Sequence, residues 1–313
     1  MKKLQFYLSG FLAVQLVLAA GLLWRDQRQQ DMQQQREVLL AVDRNQLQHL
    51  EISAGNKTVV LQKNGSQWQL PDLQGLPVDS AKLDALLEKL AGLQSGWPVA
   101  SSRAARDRFE VAEDKFQKRL RLFTGEGEPA AELFIGSSPG FRKTHVRGAD
   151  DDAIYAVELN SYELPAEADS WLDKKLLAAG EVQAIAGPDY KLAERDGKWQ
   201  FAEGGAKLDE SKARQLANAL ANLRITRAAT EVPEAEAIHI QVTTDSGELD
   251  YEFIQADEHY FVRRGDREQL FELSRYDYER IADPRNQALV LEEKGEVEQT
   301  VEEKGEGDSA ANS

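Results

Sequence analysis

Cysteine is missing from all 313 residues, and that one absence removes disulfide cross-links, thiolate metal sites, a cysteine nucleophile and a lipid-modified N-terminal cysteine. It does not fix the compartment, because a cysteine-free chain is at home on either side of a membrane. Histidine is scarce. His49, His145, His239 and His259 are the full set, no two of them stand at helical spacing for a shared metal, and HExxH does not occur. His239 lies in a strand-like run whose neighbours Ile238 and Ile240 take the opposite face, which exposes it. A Walker pattern and other nucleotide-binding motifs are absent, and although Gly136-Ser137-Ser138-Pro139-Gly140 matches GxSxG as a string, no helical pattern follows it as an elbow requires, so Ser137-Ser138-Pro139-Gly140 is read as neither an active serine nor a phosphate cradle.

Basic charge is in short supply: 38 Lys and Arg stand against 54 Asp and Glu, a formal net charge of −16. Nucleic-acid binding rests on neutralising phosphates with cations, so this balance argues against such a partner. The acidity is spread along the chain and does not gather into a metal loop. Asp150-Asp151-Asp152 is the densest group, yet a calcium loop needs alternating ligands and a distal bidentate Glu, and this triplet reads as a polar turn. No catalytic, cofactor-binding or metal-binding residue is assigned on these grounds. The chain is read as a non-enzyme.

What is present begins with Leu4–Trp24, 21 residues without a charge, the length a membrane-spanning helix needs. Lys2 and Lys3 precede it and Arg25-Asp26-Gln27-Arg28 follows, a contrast that places the N-terminus in the cytoplasm and the body outside. A cleaved signal peptide is the competing reading, with Val17-Leu18-Ala19 ahead of Ala20 as the small-residue site. Leu22, Leu23 and Trp24 carry the apolar run past that point and favour an uncleaved anchor. Residues 25–46 are Gln-rich and read as a polar helical linker.

The body repeats itself. VLQKNGSQWQL followed by VDSAKLDALLEKLAGL, Val60 to Leu93, returns as KLAERDGKWQF followed by LDESKARQLANALANL, Lys191 to Leu223. Gly65 and Gly197 are 132 positions apart and Asp79 and Asp209 130, so the copies keep register. Asn64-Gly65 and Asp196-Gly197 predict tight hairpins, and Trp68 and Trp199, alternating with Leu70 and Phe201, read as core anchors. Asp79 and Asp209 predict helix N-caps, with Leu83, Leu86, Leu87, Leu90 and Leu93, and in the second copy Ala213, Leu216, Ala217, Leu220 and Leu223, as the buried stripes. Lys82 and Lys212 stand where a capping box would carry Glu. After linkers (Trp97 to Gln117; Arg224 to Ala237), each copy continues with a second hairpin and two closing strands, His145 to Glu163 matching Phe261 to Glu279, each ending in a short helix with Tyr162 or Tyr276.

The expected class is α+β: a single N-terminal transmembrane helix (1–24), the linker (25–46), two tandem antiparallel-sheet-plus-helix modules (47–178 and 179–290) and a disordered acidic tail (291–313).

The GxWxL/F hairpin, the (V/L)D helix start with its lysine and the VR…(Y/F)-x-(V/L) closing strands, repeated behind one N-terminal anchor, resemble the bacterial family known as domain of unknown function 4340, over about Leu47 to Leu289. Members are commonly encoded beside ABC transporter components and a gliding-motility-type auxiliary protein. The resemblance implies an accessory or scaffold protein of such a complex, held in the bacterial inner membrane through Leu4 to Trp24 with its body in the periplasm or outside. It carries no catalytic or ligand residues over. Two other functions stay open: an envelope ligand-binding module using a groove between the repeats, and a hydrolase of unrecognised type.

Overall fold

The computed structural model describes residues 38–291 apart from Ala41 and Gly205. The expected membrane helix over Leu4–Trp24, the first part of the linker and the acidic tail after Leu291 lie outside these residues. Among the described residues no helix is long and apolar enough to cross a membrane. The described part of the linker corrects one expectation, because Val38 to Leu40 and Val42 to Gln46 are not helical. Leu39 donates its amide to Leu93 O at 2.9 Å, Leu40 is buried, and the Asp43 carboxylate takes the Asn45 amide to set a turn. Burying the apolar side chains beside the helix that ends near Leu93 outweighs the modest helix propensity of the segment.

The chain divides into two compact units, the first running to Leu176 and including Arg224–Thr230, the second comprising Leu177–Leu223 and the chain from Glu231. The first unit carries β1 (His49–Ala54), β2 (Lys57–Asn64), β3 (Gln67–Leu70), β4 (Leu76–Pro77), β5 (Lys118–Phe123), β6 (Ala131–Ile135), β7 (Thr144–Gly148) and β8 (Tyr155–Val157). They form one antiparallel sheet in the order β4-β3-β2-β1-β5-β6-β7-β8. Helix α1 (Ser80–Ala91) follows β4 and buries Leu83, Leu86, Leu87 and Leu90. Alternation decides the faces. Leu50, Ile52, Val59, Leu61, Leu120, Leu122 and Leu133 are all buried and form the core with that stripe, while Glu51, Arg121 and Phe123 take the opposite face, where Glu51 pairs with Arg121 and His49 stacks on Phe123.

That opposite face is not left to solvent. The stretch expected to be a linker holds α2 (Arg103–Phe109), capped by Ser102, whose hydroxyl accepts from the Ala105 amide. With Val111 and Phe116 it lays a second small core of Ala105, Val111, Phe134 and Ile154 over β6. Arg147 of β7, 1% exposed, ties this layer down. Its Nε donates to Val111 O at 2.9 Å, its Nη1 to the carbonyls of Gly148, Ala149 and Asp151, and its guanidinium lies over the Phe134 ring.

The second unit carries β9 (Val182–Ala186), β10 (Lys191–Arg195), β11 (Lys198–Phe201), helix α3 (Glu210–Ala221), β13 (Ala237–Thr244), β14 (Gly247–Ala256), β15 (His259–Arg264), β16 (Phe271–Leu273), α4 (Arg275–Ala282) and α5 (Asn286–Leu289); Ile225–Ala228 is β12. Its strands run β11-β10-β9-β13-β14-β15-β16, again antiparallel. The fold is therefore α+β with tandem sheet modules. The short closing helix differs between copies: Tyr276 lies in α4, whereas Tyr162 occupies a single 3-10 turn, Ser161–Glu163.

Turn chemistry also differs. In the second unit Asp196 and Gly197 both have positive φ (52° and 74°) between paired Arg195 and Lys198, as a two-residue turn of the mirror type requires. In the first unit Asn64 is still paired with Gln67, so the turn is Gly65-Ser66, with positive φ at Gly65 alone. The expected Asn-Gly turn is displaced by one residue, because Gly at the first central position suffices for the alternative hairpin turn.

Lys82 and Lys212 have a shared explanation. Asp79 caps α1 through Lys82 N and Asp209 caps α3 through Ser211 N and Lys212 N. The Lys82 ammonium donates to Ser170 O at 2.5 Å and the Asp79 amide to Trp171 O at 2.8 Å; Lys212 donates to Ala288 O at 2.7 Å and the Asp209 amide to Leu289 O at 2.8 Å. Each module thus ends in a strap whose consecutive carbonyls are held by the cap residue and the lysine three positions on. Val78 bridges Leu172, and Leu208 bridges Val290, in the same way. Burial lowers the Lys82 pKa, opposed by Asp79.

Candidate functional site

Of the residues singled out from the sequence, Ser137, Ser138 and His145 come together at one end of the first sheet. Pairing places the β1–β2 turn, the β6–β7 loop and the start of β5 at that end, since Ala54 faces Lys57, Ser53 faces Arg119 and Lys118 faces Ile135. Gly136 opens the β6–β7 loop. A side chain there would sit 2.0 Å from Phe109 O, so only glycine lets the C-terminal end of α2 approach this closely. Ser137 then holds that carbonyl twice, through its amide at 2.9 Å and its hydroxyl at 3.2 Å.

The same hydroxyl lies 3.1 Å from His145 Nδ1. The His145 amide also donates to Ser137 O at 2.9 Å, and the geometry of the pair is that of a brace. The hydroxyl proton points to the Phe109 carbonyl, the imidazole is buried against the Phe109 ring at 4.3 Å, and burial together with the nearby Arg108 guanidinium holds its pKa below the ordinary value. A neutral imidazole donating from Nδ1 satisfies the pair.

Ser138 builds the tip. Its hydroxyl spans Gly140 O (2.7 Å) and Lys143 O (2.5 Å), Gly140 bridges Lys143, and the two residues between them, Phe141 and Arg142, are thrown outward. Phe141 is 86% exposed and Arg142, at φ 59°, lies over its ring. Beside the tip is a cleft of about 570 Å³, lined among others by Lys89, Gln94, Gly96, Lys143 and Glu158. Trp97, adjacent to Gly96, is 64% exposed, and Tyr162, whose neighbour Glu163 pairs with Lys89, is 87% exposed. Val38, where the described chain begins, bridges Gln94 in this cleft. Gly92, Gly96, Lys143 and Glu158 make the lining largely polar, and Lys89 there is engaged by Glu163.

The remaining candidates stay apart. His49 stacks on Phe123, and His239 and His259 are exposed on the second unit. A separate depression of about 350 Å³ there is lined by His259, Tyr260 and Arg275 among others. Asp150-Asp151-Asp152 forms the β7–β8 turn, where Asp151 accepts from the Ala153 amide and Asp152 pairs with Arg106. Among the described residues no group of three or more His, Asp or Glu is placed to hold a metal. Trp199 is buried, as a core anchor should be, whereas Trp68 is half-buried and lines a groove of about 410 Å³ with Lys63 and Asp173. The exposed aromatic tip went unnoticed in the sequence. Its only signal there is Phe141-Arg142-Lys143 directly after Pro139-Gly140.

Comparison with known proteins gives one result: a model of the family described as domain of unknown function (DUF4340) matches residues 68–241. No curated protein and no solved structure matches.

Proposed function

The chain belongs to the DUF4340 family, and from that premise we propose that it is a non-enzymatic accessory protein of a membrane complex, anchored through Leu4–Trp24 with its two modules outside the cytoplasm. The complex is of the ABC transporter type in this reading, and the modules serve as a scaffold. The observation that carries it is the uncharged 21-residue run placed ahead of two modules in which the side chains that looked most like chemistry serve the fold. Ser137, His145, Lys82, Lys212 and Arg147 all spend their hydrogen bonds on backbone carbonyls or on one another.

Single cysteines in this cysteine-free chain permit crosslinking in cells without background. Cysteines at exposed positions of both modules should capture a transporter membrane subunit, and the full chain should resist carbonate extraction from membranes. Release by carbonate, or no crosslink to a transporter component from any position, would refute the proposal. The cleft favours ligand binding as a second reading. Peptide or glycan fractions of the cell envelope should then raise the melting temperature of the full chain, and no shift would exclude it.

A further inference from the structure

We infer that the Phe141–Lys143 tip, with Trp97, is a lipid-contacting foot that seats the first unit on the membrane surface. The inference rests on the anchored reading above. The tip is displayed by construction: Ser138 closes a two-residue turn beneath it, and Arg142 is held in the left-handed region, which disfavours side chains other than glycine, asparagine and aspartate. The tip is convex, an aromatic followed by two cations, which suits insertion among headgroups better than it suits a pocket. Aromatic side chains prefer the membrane–water interface, and Arg142 and Lys143 attract anionic headgroups. On a chain of net charge −16, an anionic surface repels most of the molecule and draws in this corner, so charge orients the unit as well as holding it.

The chain's own path supports the same occupant. Thirteen residues, 25–37, separate Trp24 from Val38, and Val38 joins the unit at Gln94, beside the cleft that Lys143 and Gly96 line. Fully extended, thirteen residues span about 45 Å. A foot at this end is therefore kept within reach of the bilayer, and a short tether gives such a contact a high effective concentration. The turn between β5 and β6 lies at the far end of the sheet, since Leu122 faces Ala131 there.

The test uses the full chain in nanodiscs of phosphatidylethanolamine and phosphatidylglycerol, with Phe141→Cys, Trp97→Cys or, at the far end, Glu126→Cys labelled by an environment-sensitive nitrobenzoxadiazole dye. Blue-shifted emission quenched by headgroup-proximal spin-labelled lipid is expected at 141 and 97 and not at 126. Arg142→Glu with Lys143→Glu should cut the quenching at Trp97→Cys several-fold. Water-like emission at 141, matching 126, in discs that contain the chain would overturn the foot and leave the anchor intact. A chain that elutes apart from the discs would overturn both readings. A blue shift seen only in native membranes and untouched by lipid quenchers would mean that a protein occupies the tip, which also overturns the proposal.

Discussion

Replacing Arg147 with Met should detach the outer layer of the first unit before it unfolds the sheet. The arginine is buried, and four carbonyls depend on it. Three of them lie at the end of β7 and in the β7–β8 turn, where Asp150 is exposed and water can take over. Val111 is fully buried, so its carbonyl has no substitute donor and costs about 1–3 kcal/mol when left unpaired. Methionine recovers the packing on Phe134 but not the tie between β7 and the stretch after α2. Breaking a buried charged network by removing one partner costs about 3–5 kcal/mol, and hydration of the turn brings the expectation to about 3 kcal/mol. For a unit of this size that is about a 10 °C fall in melting temperature. Arg147→Lys should fall between the two, because one ammonium cannot serve carbonyls on both sides of the strand. Hydrogen exchange supplies the sharper readout: amides of Ala105, Arg106 and Val111 should lose protection while those of β1 and β5 keep it. A loss under 1 kcal/mol with unchanged exchange in α2 would refute the clamp.

Further outcomes follow from the same contacts. Asp79→Ala and Asp209→Ala should each cost about 1 kcal/mol in urea denaturation, and a neutral result in both would contradict the capping. Lys82→Met should lower stability more than Lys212→Met, since Lys82 also lies over the Trp171 ring at 4.7 Å; equal effects would remove the ring from the account. The folded-state pKa of His145 is held below its ordinary value of 6.5, so the unfolded chain takes the proton more readily. Its contribution is complete above about pH 6.5 and is lost as pH falls toward the folded value. His145→Gln should therefore narrow the difference in melting temperature between pH 7.5 and pH 5, and an undiminished difference would refute the assignment. Gly136→Ala, which drives a methyl onto Phe109 O, should unfold the outer layer, seen as early proteolysis in residues 103–116.

The core was legible because its signals are local. Apolar stripes at helical spacing, an aspartate before each helix and Asp-Gly between alternating runs each specify a structure within a few residues, and α1, α3 and the β10–β11 hairpin form where those signals lie. The outer layer was not legible. Ala105, Phe109, Val111 and Phe116 show no period, and they acquire a core only through Phe134 and Arg147, strand residues that follow them in the chain. Val146-Arg147 and Val262-Arg263 look alike in sequence, yet Arg263 stays half-exposed with Glu252 while Arg147 is buried. The lysines in place of a capping box pointed to a partner, but Ser170 and Ala288 lie 88 and 76 residues further on. The tip followed the same pattern. Ser137 and Ser138 were considered for chemistry and serve as joinery, and what they present was visible only once the loop had a shape.

The straps that close the modules have a colloidal consequence. β4 is the outermost strand of the first sheet, and an outermost strand offers unpaired amides and carbonyls to any other chain. Asp173 N donates to Pro77 O at 3.0 Å, so in the first module a later segment lies where a neighbouring molecule's strand would add; in the second, Leu291 N donates to Lys207 O at 2.8 Å and covers the extended segment ahead of α3. A chain cut before Ala288 would leave the second of these positions uncovered, and turbidity at concentrations where the intact chain stays clear would be its mark.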